Sequence, residues 1–223
     1  MDKPNTIINL EKISFAYPHG KQVFDGLDFH FPEGLRAGLV GPTGSGKTTL
    51  VHIIMGLLKP SSGQVKIFGR LRKKESDFRE VRARIGFLFQ DADDQLFCPT
   101  VAEDVAFGPL NLGVPKPEVK ILIKETLSQL GLEGFEDRVT YKLSGGEKRL
   151  VSLATVLAMK PEMLLMDEPT TGLDDETTER LTRLLLQSGL PYLIISHNRR
   201  FLNRTTSKIY RMNQGALEEH IAG

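Results

Sequence analysis

Three short stretches of this 223-residue chain hold residue types that could do chemistry on a polyphosphate. Gly41, Pro42, Thr43, Gly44, Ser45, Gly46, Lys47 and Thr48, followed by Thr49, match the phosphate-loop pattern between an apolar run and a helical stretch. In that pattern glycines let backbone N–H groups approach phosphate oxygens, and the next helix adds the positive end of its dipole. Lys47 is expected to reach the β- and γ-phosphates of a bound nucleotide, and the Thr48 hydroxyl to join a Mg²⁺ shell. A second stretch, MLLMDE, ends an apolar strand in Asp167 and Glu168. Ligands bind at the carboxyl ends of strands in open α/β sheets, and consecutive strand residues face opposite ways. Asp167 is therefore assigned to Mg²⁺ and Glu168 to polarising the attacking water. The third stretch is Leu143, Ser144, Gly145, Gly146 and Glu147. Ser144 and Glu147 fit a capping box, and two glycines at a helix start leave N–H groups bare as a second anion site. Taken singly, each stretch competes with a plain reading: a glycine-rich turn, a strand meeting solvent, or an ordinary helix start.

These groups need elements to carry them. Residues 7–17 and 23–31 read as a β-rich hairpin layer around the turn at 18–21. Residues 35–40 form a short strand entering the glycine loop, and 47–58 have helical spacing until Lys59-Pro60-Ser61-Ser62-Gly63 breaks it. Buried strands are expected at 65–68, 85–89, 163–166 and 192–195, with a helix at 175–187. The charged segment 70–84 reads as a solvated face. From 100 to 160 helices dominate, with breaks at Gly108-Pro109 and at 131–134. The expected organisation is one α/β domain over 1–223: a nucleotide-binding core lobe at 1–90 and 161–223, and a helical lobe at 91–160.

Composition narrows the field. With 40% hydrophobic and 26% charged residues the chain reads as an ordinary globular protein. A net charge of +1 gives no electrostatic footprint for nucleic acid, and the cluster of Arg199, Arg200 and Arg204 reads as solvated surface. No apolar run approaches the ~18 residues needed to span a bilayer, and the amino terminus shows no signal-peptide core. Cys98 is the lone cysteine, which fits a reducing cytoplasmic compartment and a packed or surface thiol. His19, His30, His52 and His220 are scattered and read as structural or surface residues, so any transition-metal cargo is expected to be held by another subunit.

In their order along one chain, these stretches resemble an ATP-binding-cassette (ABC) ATPase from end to end. The resemblance implies a P-loop NTPase (RecA-like) core sheet with an N-terminal antiparallel β layer and an inserted α-helical subdomain. It implies that Leu143 to Glu147 form the signature that contacts ATP held by a second protomer, a homodimer mate or a paralogue. It further implies that Tyr17 stacks on adenine and that Gln90 joins the metal and water shell. By the same resemblance Asp174, in Gly172-Leu173-Asp174, lies on the loop linking two sites, and His197 is the switch histidine near the γ-phosphate. The chain departs from the common pattern at Thr170-Thr171 and at Asn198, where small and acidic residues respectively are frequent.

Residues 90–109 resemble the energy-coupling-factor (ECF) branch, in which this region meets a transmembrane scaffold. Leu96 and Phe97, apolar in a polar loop, are expected to take part in that contact. Thr100 and Glu103 form a further capping box beside them. LSGGEKR, DDQLF and the short carboxyl end are most similar to cobalt or nickel import ATPases. The expected partners are then the scaffold and a cargo-binding membrane subunit, with no nucleic acid, at the cytoplasmic face of the membrane. A vitamin cargo such as biotin, or a soluble regulator of the same family, is the alternative. A phosphate-loop kinase or GTPase fits less well, because no guanine-reading element is visible.

Overall fold

The computed structural model describes residues 5–18 and 20–221. It divides into two compact units, Met1–Arg82 with Leu190–Gly223 and Ala83–Gly189. His19 and the side chain of His220 lie outside the described residues.

In the first unit, β1 (Thr6–Ala16) and β2 (Gln22–Pro32) form the antiparallel hairpin that their alternation predicts. Alternation buries Ile8 and Leu10, then shifts parity to bury Ile13 and Phe15. A β-bulge accounts for the shift: Leu10 faces Phe29 but Ile13 faces Leu27, one extra residue on β1. Lys12 takes φ 51° there, and its N–H donates to Asp28 at 2.8 Å. Strand β3 (Arg36–Val40) leads into the glycine loop and helix α1 (Lys47–Ile54). That helix stops before residue 58 because Gly56, φ 70°, ends it. The Gly56 N–H bonds to Ile53 O at 3.1 Å and Leu57 N–H to His52 O at 2.8 Å, the two bonds of a Schellman cap. A Cβ at Gly56 would enter the Phe78 ring.

Next come β4 (Ser62–Ile67), β5 (Arg70–Arg72) and α2 (Glu75–Arg84), which runs to the unit boundary. The antiparallel sheet has the order β2-β1-β4-β5. Segment 70–84 is not simply a solvated face. Arg72 is buried and donates to Ile67 O at 3.0 Å, Asp77 O at 3.0 Å and Glu80 at 2.8 Å, so this cation ties strand to helix.

The second unit holds β6 (Ile85–Leu88), α3 (Val101–Asn111), α4 (Lys116–Gln129), a 3₁₀ turn at Thr140–Lys142, α5 (Gly145–Leu157), β7 (Met163–Asp167) and α6 (Asp175–Ser188). Strands β6 and β7 pair in parallel from Ile85 opposite Met163 to Leu88 opposite Met166. Helix α5 packs on β6 at Gly86, where a Cβ would meet the Val156 side chain. Contrary to the sequence expectation, α3 runs through Gly108 and Pro109. Pro109 removes only one hydrogen bond near the helix end, and it is buried, so packing offsets the loss. Gly113, φ 81°, marks the real stop.

Both hydrogen bonds of the Thr100–Glu103 capping box form at the start of α3, Glu103 N–H to Thr100 Oγ1 at 3.3 Å and Thr100 N–H to Glu103 Oε2 at 3.0 Å. Thr100→Ala should therefore lower unfolding stability by about 1 kcal/mol in urea denaturation, with Thr100→Ser losing less than half of that.

The chain then returns to the first unit with β8 (Tyr192–Ile195), α7 (Arg199–Thr205), β9 (Lys208–Asn213) and β10 (Ala216–Ile221). Strand β3 lies between β8 and β9, parallel to both, and β10 adds antiparallel to β9. Among the described residues, no helix is long and apolar enough to cross a membrane.

Candidate nucleotide site

Strand β3 delivers the phosphate loop. A Cβ at Gly41, φ 154°, would strike the Met212 carbonyl, so the loop passes β9 at a distance only glycine allows. Gly46, φ 108°, caps α1 with no side-chain bond, which leaves the first N–H groups of that helix without a side-chain cap. A Cβ there would lie 2.8 Å from the Phe24 ring. Lys47 is 9% exposed, and its amine donates to Gly41 O at 2.8 Å and Pro42 O at 2.9 Å. The cation thus sits at the loop it was predicted to serve. Ser45 Oγ is buried with no hydrogen-bond partner among the described residues, a donor that a phosphate oxygen would satisfy. Pro42, Thr43 and Gly44 are exposed, Thr48 is half-buried, and Thr49 is buried. These donors fit a triphosphate.

Tyr17 follows β1 and stands 44% exposed. Its hydroxyl meets Thr49 Oγ1 at 3.1 Å, and its ring packs edge-on against Phe15 at 5.0 Å between centroids. One end of the ring is therefore anchored to α1. His197 is exposed just beyond β8. Its neighbour Asn198 caps α7 by accepting from Phe201 N–H at 3.0 Å, a bond that an acidic residue there could equally accept.

In the second unit, β7 carries Asp167, 2% exposed, to its carboxyl end. Glu168 follows in a left-handed conformation, φ 49°, which few non-glycine residues adopt. Gln90 is exposed beyond the end of β6. Arg149, 3% exposed on α5, was not singled out from the sequence as a site residue. Its Nη1 donates to the carbonyls of Phe89 and Gln90, and its Nη2 to those of Asp167 and Glu168. Burial lowers the Arg149 pKa to about 10, against the opposing pull of Asp167 and Glu168, so it stays a cation at neutral pH. Its sequence signals are its place at the end of LSGGEKR and its spacing: positions 149, 152, 153 and 156 share the buried face of α5.

The signature stretch begins α5. Leu143 is buried, while Ser144 and Gly145 are exposed. Both capping-box bonds form, with Glu147 N–H to Ser144 Oγ at 3.3 Å and Ser144 N–H to Glu147 Oε2 at 2.8 Å. The other Glu147 oxygen accepts from Arg138 at 3.0 Å. The Ser144 hydrogen bonds, then Arg138, hold the Glu147 carboxyl below its usual range. A Cβ at Gly146 would lie 2.9 Å from Gly172 O, so the helix start rests on the loop before α6. Asp174 caps α6 by accepting from Thr177 N–H at 2.7 Å.

In the segment between Gln90 and α3, Leu96 is 8% exposed and belongs to the core, so only Phe97 fits the expected surface contact. Phe97 is 65% exposed and packs edge-on against Phe107, itself 49% exposed, at 4.8 Å. Buried Asp104 fixes this loop by accepting from the N–H groups of Phe97 at 3.1 Å and Cys98 at 3.0 Å. Burial, then Asp104, raises the Cys98 pKa to about 11 and keeps it a thiol.

A glycine loop between β3 and a helix α1 without a side-chain cap, together with a buried strand that ends at Asp167 with Glu168 just beyond it, defines a phosphate-loop nucleotide-binding protein. The chain belongs to the ABC transporter family, whose family model matches residues 24–171. It is an ABC ATPase, an ATP-hydrolysing transporter subunit. It is 42% identical over 215 residues to the energy-coupling factor transporter ATP-binding protein EcfA of Methanothermobacter thermautotrophicus, covering 95% of this chain and 69% of the relative. The solved structure of cbiO1 from Clostridium perfringens, described as part of the ABC transporter complex cbiONQ, is similar at TM-score 0.85 with 30% identity, over 98% of this chain and 89% of that one. A dimeric ATP-binding cassette in a post-hydrolysis state, bound to ADP and Pi, is similar at TM-score 0.86 with 25% identity, over 97% and 99% of the two chains. These likenesses carry the predicted ABC ATPase fold: a core sheet, an antiparallel layer and a helical subdomain.

Proposed function

We propose that this chain energises an ECF-type importer as a dimer that closes over two MgATP, with cobalt or nickel ions as cargo. The observation that carries the two-site reading is the start of α5, a glycine-built helix end outside the phosphate loop with Ser144 and Gly145 exposed. In the proposed dimer, residues 41–49 of one copy bind the phosphates, Tyr17 stacks on adenine, and Leu143 to Glu147 of the partner copy close on the γ-phosphate. Thr48, Gln90 and Asp167 are hard oxygen donors suited to Mg²⁺, which would neutralise charge on the phosphates. Glu168 polarises the attacking water while His197 and Gln90 orient it, and Asp174 lies on the loop between the two sites.

The ECF reading is supported by the likeness to EcfA and to a cassette described as part of a larger transporter complex. Cobalt or nickel rests on the similarity of LSGGEKR and DDQLF to import ATPases for those ions. The partners on this reading are a transmembrane scaffold and a small cargo-binding membrane protein, reached from the cytoplasmic face.

The exposed Phe97–Phe107 pair supports a docking role for this loop, because large apolar rings facing solvent fit a contact made on assembly. Purification of the tagged chain from gently solubilised native membranes should recover both partners, with cobalt or nickel bound. Phe97→Ser should reduce scaffold recovery about tenfold or more while leaving the isolated chain's ATPase rate unchanged. A vitamin in place of the metal would move the cargo assignment, and recovery of soluble partners alone would replace the importer with a regulator.

A further inference from the structure

The parallel ladder of β6 and β7 ends at Leu88 opposite Met166. Just beyond it lie Gln90 and Glu168, whose backbone carbonyls, with those of Phe89 and Asp167, converge on one guanidinium. From this geometry we propose that Arg149 is a positioning residue for hydrolysis, clamping the Gln90 segment and the Glu168 segment to the helix that begins with the signature. The inference rests on the roles proposed above for Gln90 and Glu168.

Two features make the clamp more than a buried ion. Glu168 holds a disfavoured left-handed conformation, and its carbonyl is fixed by Arg149 at 2.6 Å and by Thr171 N–H at 3.2 Å. On the other strand, Phe89 N–H donates to Gln95 Oε1 at 3.1 Å, while Gln95 Nε2 donates to Ser152 O at 2.9 Å on α5, three residues beyond Arg149. Helix α5 therefore grips the end of β6 twice. The planar fork of arginine lets one nitrogen serve each strand end, a division that the single ammonium of lysine cannot reproduce. Arg149 stands one turn from Gly145, so a shift at the signature would reach both segments through a single side chain.

The test compares Arg149→Met and Arg149→Lys with the parental chain for ATP hydrolysis, ATP affinity and thermal midpoint, and for hydrogen exchange at amides 89–91, 167, 168, 170 and 171. A misplaced hydrolytic group should lower kcat about 100-fold in R149M while KM and ATP affinity change by no more than about threefold. Exchange should quicken at both segments, and R149K should restore kcat only in part. A folded R149M with kcat within about twofold of parental, or a fall in kcat matched by a rise in KM, overturns the clamp. Full recovery in R149K, or exchange unchanged at both segments, does the same. Should R149M fail to fold, R149K is judged by the same kinetic and exchange criteria. Parental-rate hydrolysis in Glu168→Gln would remove the underlying role of Glu168, whereas the exchange measurement would still decide whether Arg149 holds the two strand ends.

Discussion

Glu168→Gln should slow ATP hydrolysis by roughly three orders of magnitude and accumulate an ATP-bound dimer on gel filtration. The amide keeps the size and hydrogen-bonding reach of the carboxylate but cannot take a proton from water. Glu168 sits at the carboxyl end of β7 in a left-handed conformation that its carbonyl partners hold, so the substitution should leave the backbone undisturbed. ATP binding draws on the phosphate loop and should persist. Binding without turnover is the condition under which a closed dimer builds up. The readout is phosphate release together with elution volume, with and without MgATP. Hydrolysis at the parental rate removes Glu168 from the water-polarising role.

Mixing two inactive variants should restore activity if each site is split between copies. Lys47→Ala removes the cation at the phosphate loop, and Gly146→Asp adds a carboxylate where a γ-phosphate is proposed to dock. Each homodimer then lacks every intact site, and each should fall about 100-fold or more in turnover. In the mixed dimer, the phosphate loop of the G146D copy faces the signature of the K47A copy, and one site is whole. Random pairing makes half the dimers mixed, so an equal mixture should recover roughly a quarter of the parental rate if the two sites are independent. The added carboxylate at 146 also meets Gly172 O, which makes the thermal midpoint of G146D a necessary control. Mixtures no more active than their components would mean that one chain builds its site alone.

The same geometry shows why some features could be read from sequence and others could not. Capping is local: Thr100 with Glu103 and Ser144 with Glu147 satisfy helix N–H groups three residues away, so both boxes form as predicted. The phosphate loop is equally local, since its glycines, Lys47 and Thr48 are consecutive and α1 follows at once. The end of α1 was legible in principle, because Gly56 supplies the left-handed residue a Schellman cap needs, but helical spacing ran past it. Pro109 looked like a break, yet it lies so near the end of α3 that buried packing outweighs one lost hydrogen bond.

What the sequence by itself determined is the set of groups and their order: a phosphate loop, an Asp-Glu strand end, two capping boxes and a chain of strands and helices in α/β alternation. Those depend on neighbours within a few residues, where spacing fixes direction. Tertiary structure alone decided which of two adjacent apolar residues is core and which is surface, burying Leu96 and exposing Phe97. It also decided that Arg72 and Arg149, charges that composition assigns to solvent, are buried where several backbone carbonyls converge. The carbonyls Arg149 binds lie 18 to 60 residues away in the chain, so no local pattern could announce them. A buried charge is tolerable only where the fold assembles its partners, and that assembly exists only once the chain has closed.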